Sequence, residues 1–110
     1  LNMLNERCGL ILEGEVFIEI ENIHPEPARF LMFEEQEMRR DGIIGTWHTH
    51  PNTSPNLSVE DYRWFTSYPE LNHFIIGTFE TWRYYVENGA LLVSHNEDHL
   101  LTRIPERSSS

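Results

Sequence analysis

Apolar and polar positions change period several times along the chain, and the changes mark out the elements. Cys8 to Leu12 is a short, almost unbroken apolar run, the pattern of a buried strand. Glu13-Gly14-Glu15 reads as a hairpin turn. The return strand, Val16 to Glu21, alternates Val16, Ile18 and Ile20 against Phe17, Glu19 and Glu21, so one face is wetter than the other. His24-Pro25-Glu26-Pro27 excludes helix interior, because proline lacks the amide donor and restricts its predecessor. Ala28 to Phe33 reads as extended. Glu34 to Arg40 places acids first and Arg39 and Arg40 last, the charge order that a short helix dipole favours. Gly42 to His48 reads as a central strand, and a loop with Pro51 and Pro55 leads to a helix starting near Ser58. His73 to Phe79, Trp82 to Glu87 and Ala90 to Ser94 read as three closing strands. The predicted class is α+β, a central mixed β-sheet with a hairpin at each end and short helices packed on it.

Length narrows this to one domain, expected over residues 1–104, since 110 residues match a single core. Three Trp, four Tyr and six Phe supply much of that core, and the composition excludes general disorder. Pro105 to Ser110 reads as a disordered tail. No apolar run approaches the ~20 residues of a membrane span, and Leu1 to Glu6 lacks the basic and apolar regions of a secretory signal. The single cysteine, Cys8, excludes an internal disulfide and a cysteine-rich zinc module, and it reads as a small buried residue. A reducing, cytoplasmic setting fits that usage.

Charge changes the picture further. Eight Lys+Arg against 18 Asp+Glu leave a formal net of −10, which argues against nucleic acid as a partner. An acidic surface either favours a neutral or basic partner or serves solubility alone.

The stretch that carries chemistry runs from Thr46 to Asp61. On an extended segment residues two apart share a face, so His48 and His50 can reach one metal while Thr49 points away. Asp61 falls in the first turn of the next helix, where its carboxylate can fold back onto the pair. Two imidazoles and a carboxylate are a catalytic zinc set, with a fourth position open to water. Ser58, three residues before Asp61, is placed as a helix N-cap, which is a structural role in itself.

Jointly, these residues resemble the signature of the JAMM (MPN+) metalloproteases: an upstream Glu, then His-x-His, ten residues and Asp. Here His48-Thr49-His50 is followed by Pro51 to Glu60 and then Asp61, with Pro51 and Ser58 at the family's Pro and Ser positions. Glu6-Arg7-Cys8-Gly9-Leu10 is similar to the family's Glu-x-x-Gly-Leu strand entry. Phe30 and Met32 ahead of an acidic helix resemble the prokaryotic branch, in particular the amino-terminal domain of phage tail assembly protein K. Only five residues precede Glu6, fewer than the family's usual leading helix.

The resemblance implies a JAMM/MPN-like fold, Zn2+ held by His48, His50 and Asp61, and a catalytic pair, Glu6 and Ser58. Glu6 would move a proton to the leaving amine, and the Ser58 hydroxyl would donate to the developing oxyanion. On this reading, the cap and the oxyanion compete for that hydroxyl. The implied substrate is the C-terminal tail of a ubiquitin-like or sulfur-carrier protein. Three other readings stand beside it: a non-catalytic binding module, a structural or processing component of a phage tail, and a His/His/carboxylate iron site. His24, His73, His95 and His99 read as structural. Trp47 and Phe65 read as core, with Trp47 also placed to line the site.

Overall fold

In a computed structural model, which describes residues 5–106, the first strands form where the apolar run and its alternating partner stand in sequence. Strands β1 (Cys8–Leu12) and β2 (Val16–Ile20) pair as a hairpin. Gly14 and Glu15 take positive φ at the turn, the backbone that a tight hairpin needs. Next come β3 (Ile43–Thr49), helix α1 (Val59–Ser67), β4 (Asn72–Ile76), β5 (Thr81–Glu87) and β6 (Ala90–Ser94). Two short 3-10 helices, Glu35–Arg39 and Asp98–Thr102, complete the described elements. The six strands form one sheet in the order β2-β1-β3-β4-β5-β6. Only β3 and β4 run parallel, with α1 in the crossover between them, so the sheet is mixed and the class α+β.

Strand alternation divides the core between two faces. On one face Cys8, Leu10 and Ile20 pack with Leu31, Phe33 and Met38, while Phe65 of α1 packs on Ile75 and Tyr84. The other face holds Ile11, Trp47, Phe74 and Ile76 under Leu100 of the last 3-10 helix and Ile104. Each fully buried Leu, Ile or Phe contributes roughly 1.5–3 kcal/mol, so burial on both faces holds the sheet against slippage.

Trp47 lies wholly on the second face, one residue out of phase with His48. Its indole crosses β1 above Gly9, and Nε1 donates to the Ile18 carbonyl at 3.1 Å. A Cβ at residue 9 would collide with both the indole and that carbonyl, which explains glycine there. Trp47 is therefore core, and the expectation that it also lines the site is corrected by strand parity.

Four other expectations change. Residues 28–33 form no strand: 27–29 are a turn, and 30–33 join no ladder on the way to the 3-10 helix. The expected helix at 34–40 is that five-residue 3-10 helix, with no side-chain cap bond at Glu34. Strand β4 stops at Ile76, because the Gly77 amide turns to donate to the Glu80 carbonyl. Finally, Pro105, placed in the tail, is tied down by its carbonyl, which accepts from Arg7 Nη2 at 2.6 Å; residues 107–110 lie outside the described residues. The Asp98–Thr102 3-10 helix had no expectation attached to it. Among the described residues no helix is long and apolar enough to cross a membrane.

Candidate metal centre

The centre is built where β1, β3 and the start of α1 meet. Cys8 pairs opposite His48 across the β1–β3 ladder. One residue further, Thr49 N donates to the Arg7 carbonyl at 2.9 Å and Arg7 N donates to Thr49 Oγ1 at 2.8 Å. That reciprocal pair extends the register and carries Glu6 to the face that bears His48 and His50. Ligand atoms of Glu6, His48 and His50 all lie within 4.8 Å of one another.

Asp61 arrives from the other side, on the first turn of α1. Its Oδ1 lies 3.0 Å from His48 Nε2, and its Oδ2 lies 3.0 Å from His50 Nε2. The two Nε2 atoms are 3.2 Å apart. Zinc with N or O ligands at about 2.0–2.1 Å has tetrahedral edges of about 3.3–3.4 Å, so these separations are near those of a metal-holding triad.

The donor chemistry fits as well. His50 Nδ1 lies 3.3 Å from the Ser54 carbonyl, which can only accept, so that nitrogen carries the proton. His50 Nε2 then presents a lone pair to a carboxylate oxygen, and two acceptors at 3.0 Å call for a cation between them, a proton or a metal. His48 is fully buried, and its Nδ1 has no hydrogen-bond partner among the described residues. Packing orients this ring instead, with Trp64 at 5.5 Å and Phe65 at 5.9 Å between centroids.

The titration behaviour follows the geometry. Burial alone would raise Asp61, but the charge and hydrogen bonds of His48 and His50 hold it well below the usual carboxylate range. Burial would lower His50, yet the Asp61 hydrogen bond and charge, helped by Ser54 and Glu6, raise it. Glu6 is pushed up to about 7, chiefly by burial, with His50 opposing and Asp61 adding. A carboxyl poised near neutrality suits proton transfer in either direction.

Ser58 caps α1. Its Oγ accepts from Asp61 N at 3.0 Å, and Ser58 N donates to Asp61 Oδ2 at 3.1 Å, a reciprocal capping box. This cap uses an oxygen lone pair and leaves the hydroxyl hydrogen available. The expected competition between cap and oxyanion therefore does not arise.

The loop after His50 is pinned to the end of β4. His50 N donates to the Ile76 carbonyl, Thr78 N to the Thr53 carbonyl, and the Tyr84 hydroxyl to the Pro55 carbonyl, each at 2.9 Å. Gly77 allows this approach, since a Cβ there would lie 2.6 Å from Pro55 Cδ.

A sequence model of prokaryotic homologs of the JAB domain matches residues 2–88. The chain belongs to that family. No curated protein matches it. The JAB match spans β1 to β5 and every residue of the centre, while β6 and the last 3-10 helix lie beyond it.

Within this JAB-family domain the four acid and imidazole groups named from sequence meet in one place, with Ser58 bonded to one of them. Cys8 is buried, with its thiol pushed up to about 12 by burial and then by nearby glutamates. His73 is buried with both ring nitrogens taken up by Thr46 Oγ1 and the Tyr68 carbonyl. Two contributors escaped the sequence reading, Thr49 and Trp64. Trp64 was findable: it stands three residues after Asp61, next to Phe65, on the helical face that turns inward.

Proposed function

We propose that this protein is a zinc-dependent peptidase or isopeptidase that cleaves after the C-terminal tail of a ubiquitin-like or sulfur-carrier protein. The observation that carries the reading is the convergence of Glu6, His48, His50 and Asp61, with the Ser58 hydroxyl one hydrogen bond away. His48, His50 and Asp61 would hold the metal. Bound there, zinc supplies Lewis-acid polarisation and lowers the pKa of water.

The remaining steps fall to the chain's own groups. Glu6 accepts a proton as the nucleophile attacks and returns it to the leaving amine, a role that its place beside His48 and His50 allows. Ser58 donates its free hydroxyl hydrogen to the oxygen that gains charge, a contact worth roughly 3 kcal/mol in comparable oxyanion sites. The half-buried ring of Trp64 and the buried ring of Phe65 hold His48 in place throughout.

Specificity has to come from the walls of the site, because this chemistry attacks any amide carbonyl. An extended, glycine-ended tail fits the reading, and the net charge of −10 favours substrates with basic surfaces. The test is a panel of ubiquitin-like fusions with glycine-glycine or bulky residues before the cut, assayed with zinc at low and high salt. Preferential cleavage after glycine-glycine, weakened by salt, is expected. Equal cleavage across the panel overturns the substrate class. No cleavage by the zinc-loaded protein overturns the peptidase and leaves a phage-tail role ahead.

A further inference from the structure

Glu6 stands two residues before β1, so the β1–β3 ladder does not hold its own peptide groups. Both are held instead by the segment that follows β2. Glu6 N donates to the Pro27 carbonyl at 2.7 Å, and the Glu6 carbonyl accepts from Asn22 Nδ2 at 2.9 Å. Asn22 also builds the segment that carries Pro27. Its Nδ2 donates to the Phe30 carbonyl at 3.0 Å, and its Oδ1 accepts from His24 N and Met32 N, each at 3.1 Å. Nδ2 also lies 3.4 Å from the Pro27 carbonyl, so this amide is spent wholly on backbone: its two N–H groups on three carbonyls, its oxygen on two amides.

We propose that Asn22 is a positioning residue that sets the place of the Glu6 carboxyl in the metal centre; this rests on the peptidase reading above, in which Glu6 is the proton shuttle. Asn22 touches neither the ligand cluster nor any reacting atom, and acts through the Glu6 backbone. The need for such a clamp is visible beside it. A cavity of about 290 Å³ opens along Asn5, Glu6, Glu21 and Asn22, so Glu6 has room to drift once its carbonyl is released. A misplacement of about 1 Å at a catalytic group can cost 100-fold in rate.

The experiment compares wild type, Asn22→Ala and Asn22→Asp, each alone and with Glu6→Gln. Asn22→Asp keeps the oxygen that accepts from His24 and Met32 and loses the donors to Glu6, Pro27 and Phe30, so it spares half of the loop's anchoring while releasing the Glu6 carbonyl. Zinc content, kcat and KM on the best-cleaved fusion of the panel, and hydrogen exchange at the Glu6 amide are measured. The clamp predicts a 10- to 100-fold fall in kcat in both variants, with KM and zinc unchanged, no further fall on the Glu6→Gln background, and Glu6 amide exchange at least 10-fold faster. Wild-type kcat in Asn22→Asp, or an equal loss with and without Glu6, overturns it. If the wild type binds zinc and cleaves nothing, the peptidase reading fails by itself. Glu6 amide exchange then decides the clamp, which unchanged exchange in both Asn22 variants overturns.

Discussion

Ser58 and Asp61 hold each other by two reciprocal hydrogen bonds, and the same Asp61 Oδ2 that closes the capping box faces His50 Nε2. Helix start and ligand placement are thus one structure. Replacing Ser58 by Ala should lower stability by about 1 kcal/mol, the usual cost of a lost N-cap, and should lower kcat as well. Asp at this position caps without a hydroxyl, and Thr does both. Denaturant melts should show stability restored in Ser58→Asp and Ser58→Thr, while turnover returns only in Ser58→Thr. Full turnover in Ser58→Asp would remove the hydroxyl from the mechanism.

Zinc content checks the ligand set directly. Purified protein should hold about one zinc per chain, and His50→Ala or Asp61→Ala should each abolish it in elemental analysis. Because the metal binds the folded chain, a chelator should lower Tm in wild type and leave both variants unmoved. Glu6→Gln should keep its zinc while its turnover falls to a low residual rate. Full zinc in both ligand variants would sink the assignment.

Gly9 is held by contacts rather than by its dihedrals. An alanine Cβ there would meet the Trp47 indole and the Ile18 carbonyl, a clash with backbone that a rotamer change cannot relieve. Gly9→Ala should cost about 3 kcal/mol or more. Trp47 should report it, by fluorescence shifted to the red as the buried indole loses the Ile18 bond.

His73 predicts an acid-sensitive core. Burial pushes its imidazole down to about 4 from the ordinary 6.5, with the Tyr68 carbonyl opposing and His48 adding. The unfolded chain therefore binds the proton first. This contribution to stability is whole above pH 6.5, declines as pH falls through that window, and is gone near pH 4. The ceiling is about 3 kcal/mol. Unfolding free energies of wild type and His73→Gln, measured from pH 7 to 4, should converge by up to that amount. Parallel curves would place the acid sensitivity elsewhere.

Sequence by itself determined the parts whose geometry is local. His48 and His50 share a face because strand side chains alternate, and Ser58 caps α1 with Asp61 at N3 because one helical turn spans that interval. The two hairpins were legible in the same way, from apolar runs broken at turns. Tertiary structure decided what depends on distant partners. Glu6 reaches the cluster only through the β1–β3 register, extended by Thr49 and held by Asn22. Whether Trp47 or Trp64 would flank His48 depended on which face of β3 receives α1, which no local pattern encodes. The absence of a strand over residues 28–33 has the same reason, since their backbone answers to the Asn22 side chain and to the Glu26 carbonyl rather than to their own side chains. Periodicity is set by covalent geometry and can be read along the chain. A face, a register and a clamp are settled by what packs against them.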